Sequence, residues 1–529
     1  MFTQLVLLTH TCSGNESALI EEKMHSDHSA NFSGTVNGAE RTAPSSVVGT
    51  NSKEWSPPEA SVQPSRRSTS LSLSRQEPFG LTVIVGGTNV RYCLSHLHSR
   101  EPATQAFKWQ ALRDEYDGTP DARLVRFEDS HNFTYRQLAK RCEEFVRGQF
   151  ERPDQPFEAE NLSALTFSMA GMVEGDGIGA HVTTTNTLLT IRREAFGERF
   201  VAELQHRMPK LSLKDTTVRV LNDAEAGLEG ELYFNKIDRE LVTLFMIFGT
   251  GLGCACTKDG FPELGHIVVL DTNTKKFRLL TQEERVAIIG PDGAFKPLKG
   301  LIFAENVAAG PWTAIGFVKD LARHEPQLLT VFADHIAATE RAAAEKAAAE
   351  NPGGPPVEVR SSGEIFRELK VIERFKNRER HLWAGYAKES TLRGINSLIF
   401  DRENCDLANR TKSFGNFDAV KATDPKLALD VMAEKRWKLF YDIVGKISGV
   451  VYQGMVQEGL DPHKFIAGGG IGELSNRYNP DLRQQAIELV RKGGDLPEGL
   501  FDFSRLSPTA RESAPSYQKV VETGHKLAH

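Results

Sequence analysis

The sequence predicts an α/β chain. Three observations carry that reading: short β-branched runs that break into glycine, helical periodicity between them, and long helical segments in the second half. The composition permits it. Of 529 residues, 40% are apolar and 25% charged, an ordinary globular balance. At roughly 100–200 residues per domain the chain has room for several domains. Lys and Arg number 64 against 70 Asp and Glu, a net charge of -6. That balance leaves no electrostatic footprint for nucleic acid or an anionic membrane. No run approaches the roughly 18 apolar residues of a membrane span. The six cysteines (Cys12, Cys93, Cys142, Cys254, Cys256 and Cys405) are too sparse for a secreted disulfide framework. Cys254 and Cys256 have no second Cys or His pair nearby at metal spacing, so they read as structural thiols in a strand rather than zinc ligands. The start, MFTQLVLLTH, has a short apolar run and no basic flank, a poor signal peptide. A reduced, cytoplasmic protein is expected.

Residues 26–80 read as a tail: 13 are Ser and 5 are Pro. Such a stretch cannot bury enough apolar surface to offset its ordering entropy. Its Arg66-Arg67 and Ser-repeat segment could be a phosphorylation patch, although a solvated linker is the commoner meaning. Order is expected from Leu81. LTVIVGG is a strand running into glycines, and VRYCLSHL is its expected hairpin partner. Residues 133–150 place Leu138, Cys142, Phe145 and Phe150 at helical spacing. ALTFSMAG (164–171) is again strand then glycine. TTVRVLND (216–223) is a strand ending in polar residues, and residues 241–260 read as strand, Gly-rich turn, strand. The Ala/Glu/Lys-rich segment 339–350 predicts an exposed helix, broken by NPGGPP. Residues 426–457 put Trp437, Phe440, Tyr441, Val444, Ile447, Val451 and Met455 on one helical face, a core stripe. KFIAGGGIGE (464–473) is expected to be the last strand. No tandem repeat is visible.

Three Gly-rich turns follow apolar strands: Gly86-Gly87-Thr88, Gly249-Thr250-Gly251-Leu252-Gly253, and Gly468-Gly469-Gly470. Glycine lets backbone N–H groups approach a phosphate closely, and Thr adds a hydroxyl donor. None matches the P-loop or dinucleotide pattern. One such turn says little; three in order, two with Thr, say much more. Asp223, at the end of a strand after Leu221-Asn222, could accept a proton from an alcohol attacking phosphorus. It could equally be a helix N-cap, which taken alone is the commoner role. Glu263 and His266, three apart, could together hold vicinal hydroxyls or simply occupy a surface turn.

VGGTNVR (85–91), TTTN (183–186), LND (221–223), GTGLG (249–253), ELGH (263–266) and AGGGIG (467–472) occur in an order that resembles the bacterial-type glucokinases. These stand close to the ROK group of sugar kinases and regulators, within the actin, hexokinase and heat-shock ATPase superfamily. The resemblance covers about residues 81–310 and 430–475. It implies two RNase H-like α/β domains with a cleft between them. It implies that Gly86, Gly87, Thr88 and Asn89 form a first phosphate loop and Gly249, Thr250, Gly251 and Gly253 a second. Gly468, Gly469 and Gly470 would lie beside the adenosine of ATP. Asp223 would be the base, favoured over the cap because its implied sugar partners are present: Asn222, Glu263, His266, and Glu305 in FAENVAAGPW (303–312), with Gly310 as the matching glycine. Asn186 matches the sugar-loop Asn less closely. ATP and Mg2+ are the implied cofactors and a hexose, glucose first, the implied substrate.

The sequence departs from the pattern at one important place. The first loop of the family reads Asp-x-Gly-Gly-Thr, and here the Asp position is Ile84, which offers no oxygen to magnesium or its waters. Another carboxylate substitutes, or catalysis is weak, or the protein only senses sugar. The ROK zinc cysteines have no counterpart, so no structural zinc is implied. The expected organisation is a tail at 1–80, a smaller α/β domain at 81–222 and a larger one at 223–529. The larger carries a helical insertion at about 325–425, serving as a homodimer contact or a regulatory lobe. An ATP-dependent hexose kinase is the leading expectation and a non-catalytic sugar sensor the alternative.

Overall fold

The computed structural model describes residues 77–528 apart from 87–88, 109–126, 150–160, 185–190, 212, 215, 250, 259–266, 289–297, 351–358, 375–388, 401–423, 471–474 and 476. The expected tail therefore lies outside the described residues up to 76, as do NPGGPP and Phe150. The first strand starts earlier than expected: β1 spans Phe79–Val85. Phe79 and Gly80 already pair with His96 and Ser95 of β2 (Asn89–His96).

β1, β2 and β3 (Ser99–Lys108) form an antiparallel meander. β4 (Leu162–Met169) and β8 (Thr217–Asn222) then join parallel to β1, giving the order β3-β2-β1-β4-β8. A small separate sheet is made by β5 (Met172–Glu174), β6 (His181–Thr184) and β7 (Ile191–Glu194). Helices α1 (Phe127–Gly148) and α2 (Phe196–Arg207) cover one face of the main sheet. There Val83, Val85 and Phe167 pack with Leu138, Cys142, Phe145, Phe196 and Phe200. Each such side chain stabilises the fold by about 1.5–3 kcal/mol. Because side chains alternate along a strand, Gly80, Thr82 and Ile84 point to the other face.

Asn222 ends β8 and caps α3 (Asp223–Asn235). The second main sheet repeats the logic of the first. β9 (Val242–Phe248) and β10 (Leu252–Cys256) make an antiparallel hairpin around a Gly-rich turn. β14 (Pro462–Gly468) and β15 (Phe501–Phe503) follow parallel to β9, in the order β10-β9-β14-β15. β14 is thus not the last strand, as the sequence suggested. Cys254 is buried and Cys256 half-buried on β10. A third sheet, β12-β11-β13, holds β11 (Val268–Asp271), β12 (Lys276–Leu279) and β13 (Leu301–Phe303).

The helices of this half are α4 (Gln282–Ala287), α5 (Glu305–Ala308), α6 (Gly310–His324), α7 (Leu328–Glu350), α8 (Ser362–Arg374), α9 (Glu389–Phe400) and α10 (Pro425–Gln457). All seven residues of the predicted stripe on α10 are buried. The 339–350 half of α7 is largely exposed, but Leu329, Phe332 and Ile336 anchor its start in the core. Ile365 and Leu369 of α8 and Ile395 and Ile399 of α9 join that same core. The described part of the expected insertion is therefore built into the larger body. α11 (Pro480–Gly494) crosses α10 where glycine meets glycine: a Cβ on Gly449 would overlap Gly494 O.

Two segments connect the main sheets. α3 leaves the end of β8 and lies on the second sheet, where Ala224, Leu228 and Leu232 pack with Phe245, Ile247 and Ile466. After β15 the chain returns through α12 (Pro508–Glu512) and α13 (Ala514–Ala528) to the open face of the first sheet. There Ser516 Oγ donates to Thr166 Oγ1 (2.8 Å) and accepts from Thr82 Oγ1 (3.0 Å). No helix among the described residues is long and apolar enough to cross a membrane.

Candidate active site

The parallel strands of the first sheet end together. Val85 pairs with Met169, and Met169 with Asn222. In parallel α/β sheets the carboxyl ends of the strands are where ligands bind. Two bonds tie these ends: Ala170 N donates to Val85 O (2.9 Å), and Asn222 Nδ2 to Gly171 O (2.6 Å).

Asn222, with extended backbone, is the N-cap: its Oδ1 accepts from Ala224 N at 2.8 Å, and Glu225 Oε2 accepts from Asn222 N at 3.1 Å. This reciprocal box gives the N-cap role to Asn222 rather than Asp223. Asp223 is the first helical residue and half-buried. Burial of its carboxyl pushes its pKa up to about 7, the nearby charge of Glu512 adds to the rise, and the backbone N–H of Ala224 and Arg511 oppose it. A carboxylate poised near neutrality is suited to taking a proton.

The second sheet reaches the same corner. A Cβ on Gly253 would lie 3.8 Å from Asp223 Oδ1 and 3.6 Å from Ala224 Cβ. The second and third glycine turns adjoin. Gly469 has φ +84, and a Cβ there would come 2.7 Å from Phe248 O, the residue before Gly249. Gly249 N donates to Gly251 O (3.0 Å), and Gly310 N donates to Gly249 O (2.9 Å). That last bond attaches the Glu305–Gly310 segment to the second turn. Glu305 is buried at the start of α5. In the first turn Gly86 N donates to Asn89 O (2.9 Å). Gly470 is exposed just past β14. Of the expected site residues, Gly87, Thr88, Asn186, Thr250, Glu263 and His266 lie outside those described.

Three participants carry no sequence motif. Ser168, which pairs with Ile84 across β1 and β4, donates its hydroxyl to Glu512 Oε2 at 2.6 Å. Glu512 is buried, and burial raises its pKa against the opposing pull of Arg511, the Ser168 hydroxyl and Arg91. Arg511 is buried over the Phe245 ring (5.0 Å), its Nη1 donating to Ser504 Oγ at 3.1 Å. The one signal was compositional: small residues at Ser513, Ala514 and Ser516 permit close approach beside a charged pair. Among the described residues no group of three or more His, Cys, Asp or Glu could hold a metal ion.

No protein-family model and no curated protein sequence matches the chain. Solved structures do resemble it. A ROK family glucokinase from Streptomyces griseus, in complex with glucose and AMPPNP, is 16% identical with a TM-score of 0.43, over 83% of this chain and 98% of that one. A glucokinase from Balamuthia mandrillaris in complex with glucose is 12% identical, with a TM-score of 0.40 over 83% and 94% of the two chains. A ROK family transcriptional regulator, a homologue of the E. coli MLC protein, is 15% identical, with a TM-score of 0.41 over 85% and 80%. The structural neighbours of this α/β chain are thus ROK-type glucokinases and sugar kinases, with a regulator among them.

Proposed function

We propose that the protein phosphorylates a hexose with ATP, glucose first, at the 6-hydroxyl. The observation that carries this reading is Asp223. It is released from capping by Asn222, raised toward neutrality, and set where the ends of the first sheet meet Gly253 of the second. Asp223 accepts the hydroxyl proton as the sugar oxygen attacks the γ-phosphorus; the new O–P bond forms as the bond to the departing ADP breaks. Asn222, Glu263, His266, Glu305 and Asn186 are the proposed sugar contacts. The turns at Gly86–Thr88 and Gly249–Gly253 offer backbone N–H groups to the phosphates, and Gly468–Gly470 borders the adenosine. A cleft between the two sheets that closed on both substrates would exclude water and align them.

The side chains around Asp223 also suit magnesium. Asp223, Ser168 and Glu512 offer oxygen, the chemistry a hard cation takes, while Arg511 brings a positive charge near both carboxylates; magnesium needs few protein ligands when phosphates supply the rest. When bound, it would offset charge on the transferring phosphoryl.

Ile84 favours a second reading, a sugar sensor on the same fold with little turnover. A coupled assay with magnesium-ATP and a panel of hexoses, alongside calorimetric sugar binding, separates the two. The kinase reading expects saturable ADP release with at least one hexose; sugar binding without ADP release supports the sensor.

A further inference from the structure

The face of β1 that carries Gly80, Thr82 and Ile84 is followed along its length by the returning C-terminal segment. A Cβ on Gly80 would come 3.0 Å from Val520 Cγ2 and 2.9 Å from Ser516 Cβ. Ser516 bonds Thr82 and Thr166, which pair with each other. Four residues earlier, at the end of α12, Glu512 bonds Ser168, which pairs with Ile84. Glu512 thus reaches the register of Ile84, on the face to which residue 84 points. That register is one residue short of the end of β1 and of the first glycine turn.

We infer that Glu512 supplies the carboxylate that the first glycine turn lacks at Ile84, holding the water shell of a phosphate-bound divalent cation; this rests on the kinase reading above. Among the described residues the one hydrogen bond to the Glu512 carboxylate comes from Ser168 to Oε2, leaving Oε1 for a further donor. The Ser168 hydroxyl orients the carboxylate, as partners behind metal ligands do. The negative charge matches what a divalent cation needs, and Ile84 contributes none. The carboxylate has moved from the strand to the helix packed beside it.

The test is Mn2+ retention in the presence of AMPPNP, read by electron paramagnetic resonance, which needs no turnover. Wild type, Glu512→Gln and the double variant Ile84→Asp/Glu512→Gln are compared. Glu512→Gln should weaken Mn2+ retention by about 10–100-fold. It should raise the magnesium requirement for turnover in parallel and leave glucose affinity unchanged. The double variant should recover most of the loss, which a merely structural role for Glu512 would not give. Wild-type retention by Glu512→Gln, or no recovery in the double variant, overturns the assignment. Should Glu512→Gln fail to fold, Ser168→Ala keeps the carboxylate but loosens it: a partial loss of retention supports the assignment, and unchanged retention overturns it. If wild type binds neither AMPPNP nor glucose, the kinase reading itself fails; if wild type turns over and Glu512→Gln retains Mn2+ normally, only this assignment fails.

Discussion

Asp223 and Glu512 enter one corner of the molecule from distant parts of the chain, and their chemistry follows from that corner. Asp223 must be ionised to accept a proton, and burial with the Glu512 charge pushes its pKa up to about 7. A raised acid pKa removes the active form at low pH. We therefore expect kcat/KM to rise with pH up to about 7 and then level off. A profile flat from pH 5 to 8 would show that no group of this pKa limits the reaction. The Leu221-Asn222-Asp223 motif made Asp223 a candidate from sequence, but not its protonation. That depends on burial first and then on Glu512, whose partner Ser168 lies 344 residues away. Local pattern carries no signal for a pairing of that range.

At the scale of elements, β1, β4, β9 and β14 are legible because each is an apolar run ending in or near glycine. α10 is legible because its buried stripe is long. β15 escaped because three residues, Phe501–Phe503, are too few to show a period, and they are a strand only through pairing with Phe465–Ala467. The α10–α11 crossing was also hidden, since glycine inside a helix reads only as a weak helix former. It makes a prediction. Gly449→Val would drive side-chain atoms into the Gly494 backbone, which cannot yield as a flexible side chain can. Overpacking of this kind costs typically ~1–3 kcal/mol. A denaturant melt should show that loss, and an unchanged midpoint would mean that the helices separate freely.

Across the whole molecule, two sheets share one plan: a hairpin around a glycine turn, then parallel strands. The sequence shows no tandem repeat, because the plan is kept by strand order and glycine placement rather than by residue identity. α3 and the α12–α13 segment tie the halves together. α13 buries Val520 against the first sheet, and burial of that side chain alone stabilises by about 1.5–3 kcal/mol. Removal of residues 514–529 should therefore lower thermal stability markedly, read by calorimetry. An unaltered melting temperature would show that the returning helix is not part of the folded unit.

The central claim is that Asp223 is the base of a sugar-phosphorylating site, and the most direct measurement compares kcat for wild type and Asp223→Asn with magnesium-ATP and the best hexose. The substitution keeps size and leaves the Asn222–Glu225 cap intact. Loss of a general base costs on the order of 10²–10⁴-fold in rate. The account predicts a loss in that range with sugar affinity largely retained; near wild-type turnover by Asp223→Asn would contradict it.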